Sequence, residues 1–440
     1  MPRHTLIVLA VAFALADAAH AGEAQPQPEI NVTASRTAET VDATLAGVSI
    51  ITRADIERSG AGDVIDLLRL QPGVDIARNG GDGAQTSVFL RGGNSNHVLV
   101  LIDGVRIASV GTGSFAFEQL PLDAIERIEI VRGPRASYWG SDAIGGVIQI
   151  FTRRLEAPRV AARYGSYADA SGSAGIGRWN GDAGFSVQAG LRHARGFSAT
   201  NPGICVGPDD PYCIYNPDDD GYRNKNLTAQ GAMHVGTQRL SASVLRSDAE
   251  VEFDQGRSFT IEQAASANLE GDLSGDWSHR LSIGSAREDL RTPEFYTLFL
   301  TRRSSLAWQN TLRIGADQRL IAGIDVVHEK GRNIDTFSAA TTYGDTRDNA
   351  AAFAGWQVGR GAWNAELSSR LDSNSEFGKH ICGSVAAGID LTEAFRLTTS
   401  YGTAFRGPNL NEQFSPGYGG YFAGDPALGP ETSRSAEIGR

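Results

Sequence analysis

Three aspartates stand together at Asp218, Asp219 and Asp220, after Asn216-Pro217 and before Gly221, and two more, Asp248 and Asp254, follow on the next hairpin. Hard cations such as Ca²⁺ take six to eight oxygen ligands, and convergent carboxylates supply them. An acidic run before a glycine turn is equally a solvated loop, and the residues alone leave both readings open. Cys205 and Cys213 bracket Val206 to Tyr212 just ahead of that run, while Cys382 stands apart with no zinc-type spacing. The eight histidines are scattered. Neither a Gly-x-Ser-x-Gly elbow nor a His-Glu-x-x-His helix occurs, so the chain reads as a non-enzyme.

The elements that must carry these residues follow two grammars. In 440 residues there are 40 Lys+Arg against 51 Asp+Glu, for a net charge of −11. That acidic balance argues against a nucleic-acid partner. A mean hydropathy of −0.22 excludes a multi-span helical membrane protein. It leaves a membrane β-barrel open, because a polar lumen dilutes the apolar outer face. Met1 to His4 is a basic start, Thr5 to Ala16 is apolar, and Ala19-His20-Ala21 is a cleavage site. Residues 1–21 therefore read as a secretory signal peptide. In the oxidising compartment that export implies, Cys205 and Cys213 are expected to form a local disulfide.

Residues 22–39 read as an arm. Its Glu29-Ile30-Asn31-Val32-Thr33-Ala34 stretch is β-prone, fit for a first strand or for adding to another protein's sheet edge. Residues 40–155 read as an α/β unit. Asp63 opens a helix that Gln71-Pro72-Gly73 stops, and Val98 to Ile102 is an apolar run suited to a strand buried on both faces. From Arg159 onward, stretches such as Gly184 to Arg192 and Arg239 to Arg246 alternate apolar and polar residues between Gly/Asn/Asp turns. A soluble β-sandwich or β-propeller would alternate in the same way, but strands of about ten residues in an exported chain with no repeating blade motif favour a transmembrane antiparallel β-barrel.

Two segments are more specific than the rest. One runs from Leu90 to Arg106 (LRGGNSNHVLVLIDGVR) and the other from Ile125 to Ile148, with Arg132-Gly133-Pro134-Arg135 and Gly140-Ser141-Asp142-Ala143-Ile144-Gly145-Gly146-Val147 inside it. Together they resemble the plug of TonB-dependent outer-membrane receptors, and within that family the cobalamin (vitamin B12) transporters. In the second half the resemblance rests on pieces such as Gly402 to Leu410 (GTAFRGPNL).

The resemblance implies an α/β plug inside a 22-stranded barrel in the outer membrane, in contact with its lipid. It makes Glu29 to Ala34, within 29–36, a Ton box that reaches TonB, with ExbB and ExbD as further partners. It implies ligand contacts at Gln85, Ser87, Asn94, Thr112 and Gly113. It also implies calcium as a cofactor, held by Asp218, Asp220, Asp254 and the Phe253 carbonyl. The function it implies is energised uptake of cobalamin; a ferric siderophore or haem receptor is the alternative within the family, and a passive porin or adhesin barrel the alternative outside it. The arginines Arg91, Arg132 and Arg135, with Glu126, Glu129 and Asp142, are expected to form ion pairs between plug and barrel. At about ten residues per strand, residues 156–440 hold fewer than 22 strands, so the C-terminal strands are expected to be missing and the barrel partial.

Overall fold

The computed structural model describes residues 31–439 apart from 34, 38, 41–42, 200–217, 255, 393–394 and 418–421. The signal segment 1–21, Glu29, Ile30, Ala34, Cys205 and Cys213 lie outside the described residues.

The arm forms a short ladder between β1 (Asn31–Val32) and β2 (Glu39–Thr40). Seven plug strands follow: β3 (Val48–Thr52), β4 (Val74–Arg78), β5 (Thr86–Leu90), β6 (Val98–Ile102), β7 (Val105–Arg106), β8 (Ile125–Arg132) and β9 (Gly146–Thr152). Five of them make a mixed sheet in the order β3-β8-β9-β6-β7, with β6 and β9 parallel, while β4 and β5 form a separate hairpin. All five residues of β6 are buried, as an unbroken apolar run on a two-sided strand requires.

Local chemistry fixes the helices. Thr52 caps α1 (Arg53–Ser59) through a reciprocal box with Asp55, whose backbone N–H donates to Thr52 Oγ1 at 3.2 Å while its carboxylate accepts from the Thr52 N–H at 2.9 Å. Asp63 caps α2 (Val64–Arg69), which buries Val64, Ile65, Leu67 and Leu68 under the sheet. A third turn, α3 (Ala136–Trp139), follows the Arg132-Gly133-Pro134-Arg135 bend.

Among the described residues the wall is a single antiparallel meander of 14 strands. These are β10 (Arg159–Tyr164), β11 (Ala170–Asn180), β12 (Ala183–Ala194), β13 (Tyr222–Val235), β14 (Gln238–Phe253), β15 (Gly256–Ser274) and β16 (Trp277–Thr292). The meander continues through β17 (Thr297–Ile314), β18 (Gln318–Asp335), β19 (Thr341–Arg360), β20 (Trp363–Asn374), β21 (Gly378–Thr392), β22 (Phe395–Arg406) and β23 (Glu431–Gly439). Among the described residues no pairing joins β10 to β23. Apart from β10 with 6 residues and β23 with 9, the strands are longer than the ten residues expected: β15 has 19 and β19 has 20. A tilted membrane crossing uses only about 9–11, so these strands stand well clear of the bilayer at one end.

Alternation sorts the two faces of the wall. Asp325 on β18 is buried toward the plug, while its neighbours Ile324 and Val326 are about half exposed on the other side. The two ends differ as well. Turns at 181–182, 236–237 and 361–362 have two residues, whereas the other end carries the connections 195–221 and 407–430. Short turns mark the periplasmic end of such barrels and long ones the outer end.

The plug packs on the inner face of the wall. Leu245, Ala264 and Ala286 of the wall join one apolar cluster with Val105, Ile107, Phe115 and Phe117 of the plug. Of the expected plug–wall ion pairs, two reach the wall: Arg91 pairs with Glu437, and Arg135 with Glu366 at 3.5 Å. The others stay inside the plug. Asp142 takes Arg106 at 3.2 Å, Glu129 takes Arg127 at 2.9 Å, and Arg132 donates to the Pro72 carbonyl and Ser49 Oγ. Glu126 has no ion pair among the described residues; neighbouring Arg153 and Arg53 only oppose the rise that burial gives its carboxyl.

Candidate functional site

At the outer end, plug loops meet the wall. The tip of the β4–β5 hairpin turns through Gly83, with φ +72° and a Tyr222 ring where any Cβ would sit. Gln85 is exposed on this tip and Ser87 is half-buried on β5. The other candidate contacts lie on two neighbouring loops. Asn94, exposed, donates its backbone N–H to His97 Nδ1 at 3.2 Å. Ser95 and Ser114 hydroxyls lie 3.2 Å apart, so the Asn94 loop and the loop bearing Thr112 and Gly113 come together. Gln85 and Ser87 stand on the separate hairpin.

The 109–114 loop is clasped from above. Asn409 Nδ2 donates to the Thr112 carbonyl at 2.9 Å, and the Leu410 and Asn411 N–H groups donate to the Val110 and Gly111 carbonyls at 3.1 and 3.0 Å. Leu410 opens α4 (Leu410–Phe414) and is fully buried. Gly111 is needed because the Phe299 ring occupies the place of a Cβ. The residues quoted as Gly402 to Leu410 were legible only as a resemblance; their role as a clasp comes from a contact across some 300 positions.

Nearby, carboxylate oxygens of Asp218, Asp220 and Asp254 lie within 4.8 Å of one another. Asp220 is buried, Asp254 half-buried and Asp218 exposed. The Asp220 carboxylate accepts the Ala199 N–H at 2.8 Å. Burial, then the charges of Asp254 and Asp218, hold the Asp220 carboxyl above its ordinary range; burial and Asp218 do the same to Asp254. Asp254 Oδ1 is buried with no hydrogen-bond partner. Phe253 stacks on Phe295 with centroids 6.3 Å apart. The remaining aspartates are taken: Asp219 pairs with Arg195 at 3.0 Å and Asp248 with Arg246 at 2.7 Å.

At the inner end the arm is held by side chains rather than by sheet. Val32 is fully buried. The Thr33 N–H and hydroxyl both donate to Glu129 Oε2, at 3.0 and 2.8 Å. Arg36 makes a two-pronged contact with Asp325 at 2.9 and 2.8 Å, and its guanidinium lies 4.7 Å from the rings of both Trp139 and Phe353. Asp325 also takes Arg370 at 2.5 Å, and Arg370 takes Asp372 at 2.9 Å. Burial, then the Glu366 charge, pushes the Glu39 carboxyl up to about 7. None of these long-range partners of Arg36 was readable from the sequence.

A small α/β plug seated on the polar inner face of an antiparallel meander defines the class of plugged outer-membrane receptors. The chain belongs to the TonB-dependent receptor family: residues 40–147 match its plug domain and residues 161–439 its receptor-like β-barrel. It is an outer-membrane protein of that family, whose members draw on TonB and bind bulky ligands.

Among curated proteins, the chain is 33% identical to the vitamin B12 transporter BtuB of Vibrio cholerae over 95% of its own length and 68% of the relative's. It is 32% identical to BtuB of Vibrio vulnificus over 96% and 68%, and 30% identical to that of Photobacterium profundum over 99% and 71%. Among solved structures it is similar to the ferric enterobactin receptor PfeA of Pseudomonas aeruginosa, with TM-score 0.74 and 19% identity over 90% of this chain and 70% of that one. The siderophore receptor PirA of Acinetobacter baumannii matches with TM-score 0.69 and 18% identity, covering 89% and 68%. At such identities the structures share the fold alone.

Proposed function

We propose that this chain is a receptor for high-affinity uptake of cobalamin (vitamin B12) into the periplasm, energised by TonB with ExbB and ExbD. The observation that carries the reading is kinship at 33% identity over 95% of the chain with proteins named as vitamin B12 transporters. A ferric siderophore or haem receptor is the second reading, since it would use the same plug and arm and differ in its loops. A passive porin or adhesin is disfavoured, because a plug fills the inner face of the wall.

The acidic cluster suits calcium. Three hard carboxylates converge, one of their oxygens is buried and orphaned, and among the described residues none of the three has an ion pair. Asp218, Asp220 and Asp254, with the Phe253 carbonyl, would hold the ion. Bound calcium supplies positive charge that relieves their repulsion and ties the 195–221 connection to the β14–β15 turn.

A chain of contacts between the outer loops and the arm supports coupling of the two. Arg106, at the base of the 107–114 loop, donates to the Trp139 and Ser141 carbonyls at 3.0 and 2.9 Å. Trp139 in turn covers the Arg36 guanidinium. A ligand pressing on the loops at Asn94, Thr112 and Gly113 shifts Arg106 and α3, uncovers Arg36 and frees Glu29 to Ala34 as a Ton box. A freed β-prone segment pairs edge-to-edge with a strand of TonB.

Equilibrium binding of cyanocobalamin and of a panel of ferric siderophores and haem, each with and without calcium, tests this reading. Saturable cobalamin binding strengthened by calcium is expected. Tighter binding of an iron chelate would replace it with the second reading.

A further inference from the structure

The wall's outer surface carries an arrangement that neither the plug nor the uptake mechanism uses. Register places Arg246 on β14 opposite Gln263 on β15, Gln263 opposite Arg287 on β16, Arg287 opposite Arg302 on β17, and Arg302 opposite Lys330 on β18. The row lies on the face away from the plug, since the intervening Leu245, Glu288, Thr301 and Arg303 are buried inward. Five neighbouring strands at about 4.8 Å spacing make it about 19 Å wide.

Like charges directly opposite each other in a sheet are destabilising. Here Arg287, Arg302 and Lys330 stand opposite one another in succession. One carboxylate, Asp289, is shared by both arginines. Lys330 is exposed and has no ion pair or side-chain hydrogen bond among the described residues, and neither has Arg332 two positions further on. Arg246 is engaged with Asp248 and with Gln263 Oε1 at 3.2 Å. The row is short of anions on its own protein.

Its height on the barrel says where the anion comes from. Ten residues down β16 from Arg287 is Trp277, which begins a row through Leu312 and Leu320 to Trp356 beside the short periplasmic turns. Between them runs an exposed apolar row of Ile283, Leu306 and Val326, 57%, 47% and 46% exposed. Ten residues span about 33 Å along a strand, or about 25 Å along the membrane normal at a tilt of about 40°. That is the height of the apolar band of an outer-membrane barrel, whose lower rim is an aromatic girdle. The cationic row therefore lies at the outer edge of the bilayer, level with the headgroups of the outer leaflet.

We propose that the outward-facing row Arg246–Arg287–Arg302–Lys330 binds the phosphate groups of a phosphorylated lipid of the outer leaflet. Guanidinium forks match phosphate oxygens in pairs, and the lysine adds a compact charge at the end of the row. The lipid is the anion that relieves the cross-strand repulsion, which explains why three cations can sit opposite one another at a membrane edge.

Native mass spectrometry of the detergent-extracted protein tests this with three probes: bis-phosphorylated lipid A, its dephosphorylated form, and inorganic phosphate. The wild type is expected to retain the phosphorylated lipid and not the dephosphorylated one. The double variant Arg302→Gln/Lys330→Gln should lose at least tenfold in occupancy. Arg302→Lys should keep most of it, and Arg360→Gln at the periplasmic end all of it. Should the double variant fail to fold, Asp289→Asn serves instead: removing the competing carboxylate is expected to raise occupancy. Equal retention of both lipids, displacement by equimolar inorganic phosphate, unchanged occupancy in the double variant, or a fall in Asp289→Asn overturns the proposal.

Discussion

The two ends of the lumen treat charge in opposite ways. At the inner end, Arg36 lies between two aromatic rings and meets Asp325, which meets Arg370, which meets Asp372. Every charge has an opposite within hydrogen-bond reach, and the set is closed on itself. At the outer end, Asp218, Asp220 and Asp254 converge, and none of them has an ion pair among the described residues. Buried ion pairs contribute little net stability but are costly to break on one side only. Like charges brought together hold their pKa values up and wait for a counter-charge. On the function proposed above, the inner end acts as a latch that stays shut until something disturbs it, and the outer end as a site completed from outside.

The strongest way to break this comparison is to remove the shared partner of the latch. Asp325→Ala leaves Arg36 and Arg370 facing each other in a buried site, where losing one side of a pair costs about 3–5 kcal/mol. A spin label at position 31 should become mobile without any ligand; an immobile label would mean the arm is held some other way. At the outer end, Asp220→Asn should abolish the thermal stabilisation produced by calcium, which is about 2.7 kcal/mol at a hundred times the dissociation constant. Undiminished stabilisation in that variant would place the ion elsewhere.

Two smaller effects sharpen the contrast. Gly111→Ala forces a Cβ into the Phe299 ring, and overpacking of this kind costs about 1–3 kcal/mol. Hydrogen exchange in the 109–114 loop should rise while exchange at Thr33 stays as it was. The smallest effect is a pH dependence of the arm. Burial and Glu366 raise the Glu39 carboxyl from 4.5 to about 7. A pKa raised by folding means the docked arm binds more protons than the free one between those values. Its stability is complete below pH 4.5 and is lost as pH rises through 7. The mobile fraction of the label at position 31 should grow across that window and stay flat in Glu39→Gln.

What the sequence disclosed follows the range of the interactions. The Asp63 cap and the doubly buried run Val98 to Ile102 are local, and the structure has both. Wall alternation was equally legible, because one buried face imposes a period of two. Strand length was not: extensions beyond the bilayer alternate like the crossing itself, so ten residues were expected where β19 has 20. The acidic run was visible in the sequence, but the choice of Asp218, Asp220 and Asp254 among its aspartates came only through the resemblance. The latch was hidden, since Arg36 and Asp325 are 289 positions apart. Arg91 and Arg135 were rightly suspected of reaching the wall, but nothing local distinguished them from Arg132, which spends its donors on Pro72 and Ser49.

The central claim is that ligand capture at the outer end and energised import through the arm are separate steps joined by the latch. Deleting Glu29 to Ala34 and following labelled cyanocobalamin in cells tests it most directly. Surface binding should remain at the wild-type level while accumulation in the periplasm falls to background. Accumulation that survives the deletion, or binding lost along with it, would contradict the account.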